Sequence, residues 1–264
     1  MKIKALVENK SSCELTPKHG LSLYIETESH KILFDLGPDK TLFSNARTAG
    51  IHLEDADTVI ISHGHFDHGG ALKQFLKINK KAVVYIQRSA FEPHYNKAGI
   101  FKIDIGLDRD LINHPQIKLI DGDYQIDDEL QLFTVAQSQK CRSPMNDVLY
   151  DKHGKDDFAH EQNLIISGEK TVLVFGCGHT GIVNILEAAK PFSPTVCVGG
   201  FHLFNPVSKR SAPKKLLDEI ACELKNYGGV EFYTCHCTGS RPYKYLSEKM
   251  SNLHYLSCGE QIAL

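Results

Sequence analysis

The sequence predicts an α/β fold: an αββα four-layer sandwich of two mixed β-sheets with outer helices. Three observations lead there. Strand-like hairpin patterns precede helical spacing, and that order recurs from residue 162 as a coarse echo of the first half. With 264 residues and 42% hydrophobic content, the chain can bury one large core or two close-packed halves, and it reads as a single domain over 1–264. Residues able to bind metal fall just after strands, and a fold of this kind gathers strand ends along one edge.

The elements follow in order. Residues 2–8, 21–27 and 31–36 show polar and apolar alternation or short β-rich runs broken by turn residues, and read as successive hairpin strands. After Pro38, the spacing of Leu42, Phe43 and Ala46 with Gly50 beyond predicts a helix. DTVIIS (57–62) is a short buried strand running into a histidine-rich loop. ALKQFLKIN continues as an amphipathic helix, KAVVYIQ (81–87) as a strand, and SAFEPHYNKAG as a short helix ended by Gly99. The polar stretches 99–115 and 137–161 lack a clear period and read as long surface loops. Between them, IKLIDGDYQIDDELQLFTVA is a strand, a turn and a strand. From 162 come a hairpin (NLIISGEKTVLVFG), a helix (GIVNILEAAK), a strand (PTVCVGG), a helix (APKKLLDEIACELKNYGG), a strand (VEFYTC) and a helix (RPYKYLSEKM).

Charge narrows the function. Thirty Lys and Arg against 32 Asp and Glu leave a formal charge of -2, so no global basic field draws the chain to nucleic acid or to an anionic membrane. No apolar run approaches the roughly 20 residues that span a bilayer. The opening MKIKALVENK alternates like a strand and has no apolar signal core, so a cytoplasmic location is expected. Eight scattered cysteines in a chain this long favour reduced thiols over a disulfide framework.

The chemistry concentrates in ISHGHFDHGGAL (61–72), where His63, His65, Asp67 and His68 fall within six positions. In extended backbone, residues i and i+2 point to one side, so His63 and His65 can share an ion while Asp67 and His68 turn towards an adjacent one. Imidazole with carboxylate suits zinc, iron or manganese. A polar loop rich in histidine by chance has no packing reason to follow a buried strand directly.

H-G-H-F-D-H after a hydrophobic strand resembles the H-x-H-x-D-H signature of the metallo-β-lactamase-fold superfamily. The order of hairpins, loop and second half is similar over nearly the whole chain. The resemblance implies two divalent metal ions, zinc first and iron or manganese as alternatives, held close together with a water or hydroxide between them. It also implies a histidine before the hairpin of the second half, matched by His160, and one ending a late strand, matched by His236 in YTCHCTG. The superfamily's usual aspartate after that hairpin is absent here, where LVFG is followed by Cys177, Gly178 and His179. FGCGHTGIVNIL, GGFHL and YTCHCTG together resemble the branch related to 7,8-dihydropterin-6-yl-methyl-4-(β-D-ribofuranosyl)aminobenzene 5'-phosphate synthase, in which a Gly-Cys-x-His element replaces that aspartate.

Either His179 or the Cys177 thiolate can fill the aspartate's place. Cys235 and Cys237, flanking His236, read as packing or supporting residues and not as a separate zinc site. His202, after the strand PTVCVGG, reads as a substrate contact or proton donor, and Asp67 as the group that orients the attacking water. Arg142, Lys209 and Arg210 lie in rim loops where they can meet phosphate. Backbone N–H groups of TGIVN, at the next helix start, are expected to face an anion. The predicted activity is that of a metal-dependent hydrolase, or related synthase, acting on a phosphorylated small molecule, pterin-like or nucleotide-like. Thioester or lactone hydrolysis, a di-iron redox role without flavin, and a non-catalytic metal sensor are the alternatives.

Overall fold

A computed structural model describes residues 1–98, 100–136 and 140–264. Its contacts divide the chain into two compact units. The first comprises Met1–Asp121, Tyr150–Gly154 and Leu256–Leu264; the second comprises Gly122–Leu149 and Lys155–Tyr255.

Each unit is built on its own mixed sheet of seven strands. In the first unit the strand order is Gln261–Ala263, Lys2–Val7, Ser22–Glu26, Lys31–Phe34, Thr58–Ile60, Val83–Gln87 and Ile117–Ile120. The first three pairings are antiparallel and the last three parallel. The helices Thr41–Thr48 and Leu72–Ile78 cover it, their buried Leu42, Ala46, Leu72 and Phe75 packing with Leu33, Val59 and Val84.

The second unit repeats the plan. Leu253–Tyr255, Glu231–Thr234, Val196–Gly199 and Val172–Val174 are parallel neighbours, followed by antiparallel Asn163–Ile166, Leu130–Phe133 and Tyr124–Gln125. Its helices are Ile182–Ala189, Lys214–Lys225 and Ser240–Ser247. The second of these buries Leu217, Ile220, Ala221 and Leu224, one stripe at helical spacing, against Phe232 and Leu246. No described helix is long and apolar enough to cross a membrane.

Four expectations change. The expected helix SAFEPHYNKAG (89–99) is not one helix: a short 3-10 turn, Arg88–Phe91, is followed by strand Tyr95–Ala98, because Pro93 interrupts helical hydrogen bonding. Gly99, expected to end that helix, and residues 137–139, at the start of the second polar stretch, lie outside the described residues. Part of 99–115 is strand Phe101–Asp104, antiparallel to Tyr95–Ala98 with Tyr95 opposite Asp104. The strands of 117–133 belong to different units: Ile117–Ile120 runs parallel to Val83–Gln87, whereas Leu130–Phe133 pairs with Asn163–Ile166. Lys209 and Arg210 lie in a small hairpin, Phe204–Asn205 with Arg210–Ser211.

Phe66–Gly69 forms a one-turn helix, so Asp67 and His68 ride on helical backbone and not on an open loop. The glycine pair that follows is sterically required to different degrees. A Cβ on Gly70 would lie 2.3 Å from the Pro38 carbonyl oxygen and 2.5 Å from that of Phe66, both backbone; one on Gly69 would meet a Leu107 methyl at 2.6 Å, which can swing aside. Gly70→Ala is therefore expected to destabilise by about 2–3 kcal/mol, Gly69→Ala by about 1 kcal/mol. Denaturant midpoints of the two variants check the ranking, and equal midpoints would contradict it.

Candidate functional site

In the first unit the donors are set by the strand before them. Asp35, just past Lys31–Phe34, and Ser62, just past Thr58–Ile60, follow adjacent parallel strands in which Phe34 pairs with Ile60. Both residues are fully buried. Asp35 takes a left-handed backbone (φ 61°), and its carboxylate accepts three hydrogen bonds: from Ser62 N (2.7 Å), Ser62 Oγ (2.7 Å) and His68 Nδ1 (2.6 Å). Ser62 Oγ, its proton committed to Asp35, accepts from His63 Nδ1 at 2.8 Å. This network assigns the ring proton of both histidines to Nδ1, so Nε2 carries the lone pair. Metal-ligating histidines are commonly held in this way, with the far ring nitrogen tied to a carboxylate or hydroxyl.

The other members of the motif gather around these two. The His63 ring lies 4.6 Å from His65 and 4.1 Å from His68, centroid to centroid. Asp67 Oδ2 lies 3.9 Å from His68 Nε2 and 3.4 Å from His19 Nε2. His94, buried and 5.9 Å from His65, joins the group although nothing in its sequence context marked it.

In the second unit the stretch FGCGHT leaves strand Val172–Val174 and is pinned by a buried acid. Glu161 accepts from His179 N (2.7 Å), Thr180 N (2.8 Å) and Thr180 Oγ1 (2.7 Å). Burial pushes the Glu161 carboxyl up, while these bonds and the charge of His160 pull the other way. The expectation of an anion site on the TGIVN amides is narrowed here. Thr180 N is held by Glu161 and Gly181 N by the Gly178 carbonyl (3.0 Å), so the first two of these amides are taken by the protein's own groups.

Asn146 then fixes His179. Its Nδ2 donates to the His179 carbonyl (2.8 Å), which turns Oδ1 towards His179 Nδ1 (2.9 Å). Nδ1 again carries the proton and the buried Nε2 the lone pair. The Phe158 ring stacks on His179 at 4.4 Å and 3° between planes. His160 is buried with its Nε2 3.2 Å from Asp156 Oδ2. Arg142 is exposed, with its guanidinium 5.4 Å from the Phe158 centroid and one N–H on the Asp156 carbonyl (2.9 Å).

His202 is half-buried, left-handed (φ 48°) and 4.1 Å from His179 between ring centroids. One donor atom each from Cys177, His179 and His202 lie within 4.8 Å of one another, and the same holds for Cys177, His236 and Cys237. Cys237, expected to pack or support, thus lies at donor spacing from Cys177 and His236. Burial opposes its ionisation, yet polar contacts with Cys177 and His202 and the charge of His236 hold its thiol well below the ordinary range. Lys209 and Arg210 are exposed, and among the described residues neither shares a hydrogen bond with a candidate ligand.

The donors fit a divalent metal. His63, His68 and His179 are each locked in the tautomer that presents Nε2, by Ser62, Asp35 and Asn146. Asp35, Asn146 and Asp156 were not anticipated.

Comparison with known proteins agrees with this chemistry. Residues 15–141 match the model of the metallo-beta-lactamase superfamily. The chain is 26% identical to Tm1679, a metal-dependent hydrolase of the beta-lactamase superfamily, whose crystal structure superposes with a TM-score of 0.84 over 100% of this chain and 99% of that one. Residues 15–141 thus match a metallo-β-lactamase superfamily domain, the chain has the corresponding α/β fold, and the proteins of this class are generally metal-dependent hydrolases. Two proteins of Methanocaldococcus jannaschii are similar over most of their length. One, uncharacterized, is 29% identical over 99% of this chain and 100% of its own. The other, 7,8-dihydropterin-6-methyl-4-(beta-D-ribofuranosyl)-aminobenzene-5'-phosphate synthase, is 29% identical over 84% of this chain and 81% of its own.

Proposed function

We propose that the chain is a metal-dependent hydrolase, or a related synthase, acting on a phosphorylated small molecule of pterin-like or nucleotide-like kind. The observation that carries the reading is the locked tautomer of His63, His68 and His179: three buried imidazoles, each holding Nδ1–H to a dedicated acceptor, are prepared to donate from Nε2. The proposed ligands are His63, His65, Asp67, His68, His160, His179 and His236, and the proposed cofactor is a pair of divalent ions, zinc first. Such ions supply Lewis acidity and make a hydroxide nucleophile available near neutral pH.

The chain's own residues do the rest. The Asp67 carboxylate orients the attacking water and takes its proton, and His202 donates a proton to the leaving group. Arg142, already held over Phe158 and on the Asp156 carbonyl, meets the phosphate with little further ordering, while Lys209 and Arg210 offer exposed cations on a hairpin. Similarity to a synthase whose name includes a 5'-phosphate supports the phosphorylated substrate.

Metal analysis joined to turnover assays on phosphomonoesters and phosphodiesters tests the reading. Inorganic phosphate is expected to inhibit competitively, and added salt to raise KM with metal content unchanged, because exposed cations are screened while buried ligands are not. Efficient hydrolysis of a neutral lactone or lactam without phosphate inhibition would overturn the substrate class. Bound metal without any turnover would favour a sensor.

A further inference from the structure

Three neighbouring parallel strands of the second unit, Val172–Val174, Val196–Gly199 and Glu231–Thr234, end at the same edge of their sheet, with Val174 opposite Val198 and Gly199 opposite Thr234. Cys177 follows the first strand and Cys237 the third. The side chains of Cys177, His236 and Cys237 are buried, and one donor atom of each lies within 4.8 Å of the others. Cys237 Sγ also reaches the Cys177 carbonyl at 3.3 Å.

Two features hold Cys237 there. His236 adopts a left-handed backbone (φ 49°), unusual for a residue with a side chain, and this bends the chain so that Cys237 turns in towards Cys177. Gly200, after the middle strand, leaves the room: a Cβ at that position would lie 2.4 Å from Cys237 Sγ.

We propose that Cys237, together with Cys177 and His236, forms a thiolate-bearing ligand set for one thiophilic divalent ion, zinc(II) by its chemistry. A tetrahedral zinc, with bonds of about 2.3 Å to sulfur and 2.0–2.1 Å to nitrogen, spaces its donors by roughly 3.5–3.8 Å. From separations within 4.8 Å, the three donors need to close by at most about 1.3 Å to reach that spacing. Both sulfurs would bind as thiolates, any remaining thiol proton passing to solvent, and the fourth position would stay open. The set rests on the reading of His236 as a ligand and adds sulfur to a site otherwise read as nitrogen and oxygen.

Cobalt(II) titrated into the metal-free full-length chain distinguishes the two readings. Thiolate ligation gives an intense sulfur-to-cobalt charge-transfer band in the near ultraviolet, whereas nitrogen and oxygen ligation gives only weak visible bands. The expected result is a charge-transfer band in the unmodified chain, reduced to about half in Cys177→Ser and in Cys237→Ser and lost in the double variant. Because the first measurement uses no substitution, misfolding of a variant cannot imitate the negative result. Cobalt bound without a charge-transfer band, or a band undiminished in Cys237→Ser, overturns the thiolate set and leaves the metal-dependent reading standing. No cobalt bound at all overturns both.

Discussion

Replacing His63 or His65 with alanine is expected to lower the chain's metal affinity by more than about 100-fold, beyond the 10–100-fold typical of residues that only support a ligand. Each substitution removes an imidazole from the tight histidine group whose rings lie within 4.6 Å of His63. The fold should survive. Ser62 keeps both of its bonds to Asp35, and the hydrophobic core around Leu33, Val59, Phe75 and Val84 does not include the histidine. A stability change of about 1–2 kcal/mol is expected, from the loss of a buried ring. Metal content per chain, measured after dialysis against a weak chelator, decides the matter. Unchanged content in both variants would sink the ligand assignment, and loss of cooperative unfolding would show that the loop is structural instead.

The elements legible in the sequence are those whose partners leave a local pattern. The stripe Leu217, Ile220, Ala221 and Leu224 marks a helix because its spacing alone defines the buried face, and DTVIIS marks a strand because of its short β-branched apolar run Val59, Ile60 and Ile61. The hairpin of Tyr95–Ala98 and Phe101–Asp104 leaves no such mark. Phe101 and Ile103 are 69% and 56% exposed, so burial imposes no alternation, and the strands are defined by pairing with each other. Sheet membership was equally hidden for 117–133, since Ile117 pairs with Val84 and Leu132 with Leu164, contacts that no local window contains. The short C-terminal strand Gln261–Ala263 exists by pairing with the first strand.

The same division runs through the donors. His63, His65, Asp67 and His68 announce themselves by spacing, but the groups that hold them act at long sequence separation. Asp35 meets His68 across 33 positions, and Asn146 meets His179 across 33. Asp35 had one local sign, a carboxylate directly after the apolar Ile32, Leu33 and Phe34, while Asn146 stands in a polar stretch whose sequence has no clear period. The turn before the helix Ile182–Ala189 hides its partner for a related reason: the Thr180 amide, open to an anion by its sequence position, is taken by a buried glutamate beside His160.

Asp35 offers the sharpest separation between holding the fold and holding a metal. Its carboxylate is the acceptor for Ser62 N, Ser62 Oγ and His68 Nδ1, and all three side chains are wholly buried. Asp35→Ala strands two N–H donors and a hydroxyl without water, and is expected to cost about 3–5 kcal/mol, read as a lower denaturant midpoint. Asp35→Asn keeps the shape and tolerates the left-handed backbone (φ 61°) that alanine resists. An asparagine has one carbonyl where the aspartate has two oxygens, so its NH2 must face either Ser62 N–H or His68 Nδ1. Facing Ser62, it sets donor against donor and displaces the strand end; facing His68, it drives the ring proton to Nε2 and takes the lone pair away from the metal side. Both outcomes weaken metal binding by about 10–100-fold while the chain still unfolds cooperatively. A tautomer shift at His68, visible in the nitrogen chemical shifts of the metal-free variant, identifies the second outcome. An Asp35→Asn chain that binds metal as the unmodified chain does would remove the tautomer lock from the account and leave Asp35 a purely structural acid.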